Sequence, residues 1–155
     1  MALYGEPLPP YPASYCKGVW LFERRYFFEC HEVLEELWKE TVGTPKIFYQ
    51  MLIHAAVCFV HWENGNRKGV LSLHHTFELK AAQIPAEVYL GLDLARLKAD
   101  MAALVDPLRA DMDLPLPPYA GIVAPALRIS GFEPLAVDEQ ELRVLGREPE
   151  GEEKS

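Results

Sequence analysis

The apolar positions of the chain fall into two different helical patterns. Residues 27–38 (FFECHEVLEELW) are good or tolerable helix formers, with no Gly or Pro among them. Wound at about 100° per residue, Tyr26, Phe27, Cys30, Val33, Leu34, Leu37 and Trp38 share one broad apolar face, and Glu29, Glu32 and Glu36 lie on the wet side. His31 and Glu35, one turn apart, sit on the border between them. Residues 47–62 are apolar nearly all round, the mark of a buried central helix. Gln50, His54 and His61 interrupt this helix within a stripe about 40° wide. A buried polar group without a partner costs about 1–3 kcal/mol, so the stripe needs something to face. The short link at 41–45 predicts antiparallel neighbours, and the His31/Glu35 edge is the expected partner.

The remaining segments predict an all-α bundle of about four main helices, with an extended Pro-rich N-terminal arm and an irregular C-terminal strap. Prolines 7, 9, 10 and 12 exclude a helix from the arm, residues 1–14. The helical region begins at 19–22, and Arg24 and Arg25 mark a break before the main helix. Gly43 suits the end of that helix, Thr44 a cap, and Pro45 the first turn of the next. The turn signal ENGN at 63–66 precedes a third helix over 67–82. Gly69 inside it implies close approach of another backbone. Of the adjacent His74 and His75, at most one can join a central site. Pro85 opens a fourth helix over 86–105 that Gly91 kinks and Asp106-Pro107 ends or bends. The strap, 114–132, starts with the extended LPLPP at 114–118, and 119–129 lies over the bundle rather than pairing in a sheet. An echo between FERRY at 22–26 and WENGN at 62–66 suggests one helix-pair arrangement used twice. Residues 1–132 therefore read as a single helical domain, followed by a flexible acidic tail at 133–155.

The motif YFFECHEVLEELW at 26–38, followed by Gln50, Ile53, Ala56, His61, Gly65, Asn66 and Gly69, resembles domain-of-unknown-function family 309, small and mostly bacterial helical proteins. The resemblance covers residues 19–82. It implies an all-helical fold and a shared core motif on Glu29, His31, Glu32, Glu35 and Trp38, and it implies no activity. Cys30, His54, His74 and His75 lie outside the motif.

Composition narrows the picture. Half of the 155 residues are hydrophobic, enough for a substantial core. The net charge is −8, which argues against a nucleic-acid partner. Residues 133–155 hold eight acidic and three basic residues, so most of that charge belongs to the tail. Cys16, Cys30 and Cys58 form no disulfide framework and read as reduced thiols. No apolar run resembles a leader or a membrane span, so the expected location is the cytoplasm.

Two readings of the polar cluster stay open. In the first, His31, Glu35, His54 and His61 hold a divalent metal (Zn, Mn or Fe), supported by Gln50 and Trp38, with Glu32 or Glu29 as general base for hydrolase-like chemistry on a small molecule. In the second, the same groups form a structural hydrogen-bond network inside a non-enzymatic interaction or assembly module with a protein partner.

Overall fold

The computed structural model describes residues 11–127, 129, 130 and 140. The arm up to residue 10, and the tail apart from residue 140, lie outside the described residues. Among the described residues up to 130, five α-helices follow in order: α1 (Ala13–Glu23), α2 (Phe27–Lys39), α3 (Thr44–Glu63), α4 (Arg67–Ala81) and α5 (Leu94–Ala110). A hairpin of β1 (Val88–Tyr89) and β2 (Leu92–Asp93) separates the last two. Each helix packs chiefly on its neighbours in sequence, and α3 packs on both α2 and α4. The mostly helical bundle expected from the pattern is thus present, with one more helix and one hairpin.

The first helix starts earlier than the sequence suggested. Pro12, with φ −54° and ψ 139°, occupies the position before it, and Ala13 and Ser14 are helical rather than part of the arm. A proline is well tolerated there because the first helical amides have no partner within the helix. At the other end Arg25 takes φ 66°. Its amide donates to Phe22 O at 3.0 Å, and the Tyr26 amide donates to Leu21 O at 2.9 Å. This pair of bonds is the Schellman helix ending. Forty residues later Gly65 takes φ 70°, donating to Trp62 O at 3.0 Å, while Asn66 donates to His61 O at 2.8 Å. The echo of FERRY in WENGN is therefore one helix ending built twice, each followed at once by a new helix.

Between α2 and α3, Gly43 stands at φ 75° immediately before α3 rather than at the end of α2. Thr44 and Pro45 are the first residues of α3. The end of α2 is satisfied instead by the Thr41 hydroxyl, which donates to Leu37 O at 2.6 Å.

The expected helix from residue 86 does not form. Leu90 (φ 48°) and Gly91 (φ 77°) make a two-residue turn with both residues left-handed, the backbone that matches the twist of paired strands. Val88 pairs with Asp93 and Tyr89 with Leu92. The helix begins only at Leu94, where the Asp93 carboxylate accepts from the Arg96 amide at 3.0 Å. Gly91 is thus a turn residue and not a kink. Pro107 lies inside α5, which continues to Ala110.

Aromatic rings join the first three helices. Phe27 stacks on Phe59 with centroids 4.8 Å apart, and Phe22 meets Phe27 edge-on at 5.0 Å. The chain after α5 lies across this core. Trp62 Nε1 donates to Pro117 O at 2.8 Å. The Arg67 guanidinium donates to Leu108 O, Asp111 O and Leu114 O at 2.6, 2.9 and 3.0 Å. The Arg25 guanidinium donates to Tyr119 O at 2.8 Å and Ile122 O at 3.2 Å. After a short 3-10 turn at Tyr119–Gly121 the strap reaches the hairpin, where Ile129 bridges Leu92. It therefore makes one bridge to a strand that the sequence did not disclose.

Candidate functional site

The polar residues singled out from the sequence lie on two sides of α3. On α2, His31 and Glu35 are neighbours, with Nε2 and Oε2 4.0 Å apart. His31 Nδ1 is 2.9 Å from Phe28 O, and its ring lies 5.2 Å from the Phe28 ring. Phe28 itself is 45% exposed. Glu32 is half-buried on the same outward arc. Glu29, expected on the wet side, is only 2% exposed. It sits in the first turn of α2, where the free amides and the helix dipole favour a carboxylate. Trp38 receives Lys46 Nζ over its ring at 4.5 Å.

The α3 stripe turns to α4. His61 Nδ1 is 3.2 Å from Asn66 Nδ2, and Asn66 Oδ1 accepts from the Gly69 amide at 2.9 Å, capping α4. A Cβ at position 69 would run into the His61 ring and the Asn66 amide. Gly69 thus makes room for a side chain and not for another backbone. His54 lies against the same helix. Burial pushes its imidazole below the ordinary histidine range, the Thr76 backbone offsets part of this, and the Lys80 ammonium adds to it. Its Nδ1 is buried without a hydrogen-bond partner among the described residues. Gln50 is half-buried on α3. His31 and Glu35 therefore do not meet His54 and His61 as a ligand set. Among the described residues, the only group of three or more His, Cys, Asp or Glu side chains close enough to share an ion is elsewhere.

That group is His74, Glu78 and Asp106, at the seam of α4 and α5. His74 is fully buried. Its Nε2 pairs with Glu78 Oε2 at 3.1 Å, and its Nδ1 is buried without a hydrogen-bond partner among the described residues. Arg109 Nη2 sits 2.7 Å from Glu78 Oε1 and 3.6 Å from Asp106 Oδ1. Burial lowers the His74 pKa, and the Arg109 charge lowers it further, against the pull of Glu78. Burial alone would raise the Glu78 pKa, but Arg109 and His74 together bring it below the ordinary value. The sequence held one signal for this cluster: His74 and Glu78 are one turn apart on a helix whose apolar face includes His74. Asp106 comes from the next helix, and no spacing could have supplied it.

The cysteines are core groups. Cys30 and Cys58 are fully buried, and burial pushes the Cys58 thiol up to about 12, which excludes a ready thiolate. A pocket of about 300 Å³ opens between the end of α1 and the strap. Its charged groups are engaged: Glu23 Oε2 accepts from the Leu127 amide at 3.0 Å, and Arg25 is held by the strap carbonyls. Among the described residues no helix is long and apolar enough to cross a membrane.

The uncharacterized protein YpuF of Bacillus subtilis (strain 168) is 36% identical over 90 residues, 56% of this chain and 52% of the relative, so the match spans about half of that protein's length. No solved structure matches the chain. Residues 15–73, which run from α1 into α4 and hold the α2 motif, match the family described as Domain of unknown function (DUF309), the family that the motif resembles.

Proposed function

We propose that the chain is a non-enzymatic interaction or assembly module whose partner seats on the outward face of α2. The observation that carries this reading is the character of that face. Phe28, His31, Glu32 and Glu35 fall within an arc of about 100°, with Phe28 45% exposed and the Glu35 side chain 47% exposed. An exposed aromatic ring flanked by carboxylates suits a protein segment that offers an apolar side chain beside Lys or Arg. The inward half of the motif supports the same view, since Phe27, Cys30 and Leu34 are spent in the core. Within the polar stripe of α3, His61 lies beside the Asn66 cap of α4 and fills the space that Gly69 leaves.

A photo-crosslinking residue in place of Phe28, in cells making the full chain, tests this. Leu79, 53% exposed on α4, is the control position. Adducts at 28, absent at 79 and lost in Glu35→Lys with an unchanged melting temperature, are expected. Equal labelling at both positions, or none at 28, rejects the reading.

The second reading, divalent-metal chemistry, is favoured by the group at the α4–α5 seam. Neither Glu32 nor Glu29 belongs to that group.

A further inference from the structure

We propose that His74 Nε2, Glu78 and Asp106 form a site for one divalent cation of the zinc class, and that Arg109 holds the place of the cation when none is bound. The site is independent of the interaction surface on α2. The three ligand atoms lie within 4.8 Å of one another. Ligands about 2.0–2.2 Å from a tetrahedral or octahedral metal stand roughly 3–4.4 Å apart, so the set needs only small side-chain adjustments to close on an ion.

A carboxylate cluster alone would not point to a metal. The buried histidine does. His74 is fully buried, its Nδ1 has no hydrogen-bond partner among the described residues, and its Nε2 faces Glu78 Oε2 at 3.1 Å. In the neutral ring one nitrogen carries the proton and the other offers a lone pair. A proton on Nε2 makes this contact a His–Glu pair, and in the other tautomer the Nε2 lone pair faces the carboxylate oxygen, the place where a cation would take over from the proton. An imidazole beside two carboxylates suits Zn, Mn or Fe, and it is a poor match for Mg or Ca, which prefer oxygen alone.

Arg109 explains how the site persists without an ion. Its single positive charge bridges Glu78 and Asp106 but leaves the pair of carboxylates incompletely neutralised. The Arg109 side chain is 40% exposed, so it can move into solvent as an ion enters. Glu78 and Asp106 are 40% and 61% exposed, which provides the entry path and room for water to complete the coordination. One turn of α4 sets His74 against Glu78, and packing against α5 brings Asp106, so both helices would be joined through the ion.

The test is calorimetric titration of tag-free, chelator-treated full chain with Zn²⁺ alone, with Co²⁺ absorption and ¹⁵N-histidine spectra as readouts. One equivalent should bind and shift the His74 ring resonances. Asp106→Asn and Glu78→Gln, both at exposed positions, should each weaken binding more than about tenfold, the loss typical even of groups that only support a ligand. Arg109→Gln should tighten it. His74→Gln changes a core position, so the two carboxylate variants decide the matter if that protein fails to fold. Absence of Zn²⁺ binding by the wild type overturns the proposal. So does binding that both carboxylate variants leave unchanged, which would place the ion on other histidines. Neither outcome bears on the α2 surface.

Discussion

At the scale of single residues, the fold spends strain where burial can offset it. Leu90 is left-handed at φ 48°, a conformation that costs an ordinary residue about 1–2 kcal/mol. Its side chain is fully buried, a gain of about 1.5–3 kcal/mol, and its carbonyl accepts from the Tyr15 hydroxyl at 2.9 Å. Gly91 has no such compensation to offer a larger side chain. At φ 77° a Cβ would meet Ser130 O and the Tyr11 ring. Gly91→Ala is therefore expected to cost more than about 1 kcal/mol, read as a lower denaturant midpoint at unchanged slope. His54 supplies a pH dependence at the same scale. Burial holds its folded-state pKa below the ordinary value, about 6.5, so the unfolded chain binds the proton more readily. Its contribution to stability is complete above that value and is lost as pH falls through it toward the folded pKa. Unfolding measured from pH 8 to 5 should show this decline, and His54→Gln should reduce it but not abolish it, because burial lowers the His74 pKa as well. An unchanged pH profile in the variant would assign the decline to other groups.

At the scale of elements, the start of α4 is a single interlocked unit. Asn66 caps the helix through the Gly69 amide, and its amide nitrogen lies beside His61. Asn66→Ala should cost about 1 kcal/mol, the usual loss for an N-cap. Gly69→Ala would add about 1 kcal/mol on helix propensity alone, yet the new methyl collides with the His61 ring. The expected net effect is destabilisation, and His61→Ala in the same chain should reverse it. A stabilised Gly69→Ala in the otherwise natural chain would contradict the geometry. These residues also show what the sequence could and could not disclose. The α3 stripe was legible because a helix wheel gives the direction of each side chain about its own axis. The neighbour was not, because α3 is flanked by α2 on one side and α4 on the other, and the wheel does not say which lies where. The hairpin was hidden for a related reason. VYLGLD at 88–93 is too short a run for its period to separate strand from helix. Asp93 was the available signal: an Asp that caps α5 fixes where the helix starts. The two Schellman endings, by contrast, were visible as a repeat before their geometry was known.

At the scale of the whole molecule, four side chains among the described residues fasten the strap: Glu23 and Arg25 at the end of α1, Trp62 near the end of α3 and Arg67 at the start of α4. Arg67 carries the most. Its guanidinium spans Leu108 O, Asp111 O and Leu114 O, so one planar donor group closes the end of α5 and anchors the first turn of the strap. The positive charge also lies at the C-terminus of α5, where the helix dipole favours it. An Arg can reach three carbonyls because its five N–H groups are fixed in a fork, whereas a Lys ammonium is a point donor on a flexible stem. Arg67→Ala removes these charge-assisted bonds and should destabilise the protein by about 2–4 kcal/mol. Arg67→Lys should recover less than half of that loss. If the strap is held from this point, amide hydrogen exchange in Arg67→Ala should accelerate across 111–122 before it does so in α2 or α3. Uniform acceleration throughout the chain would instead make Arg67 a contributor to global stability with no particular hold on the strap.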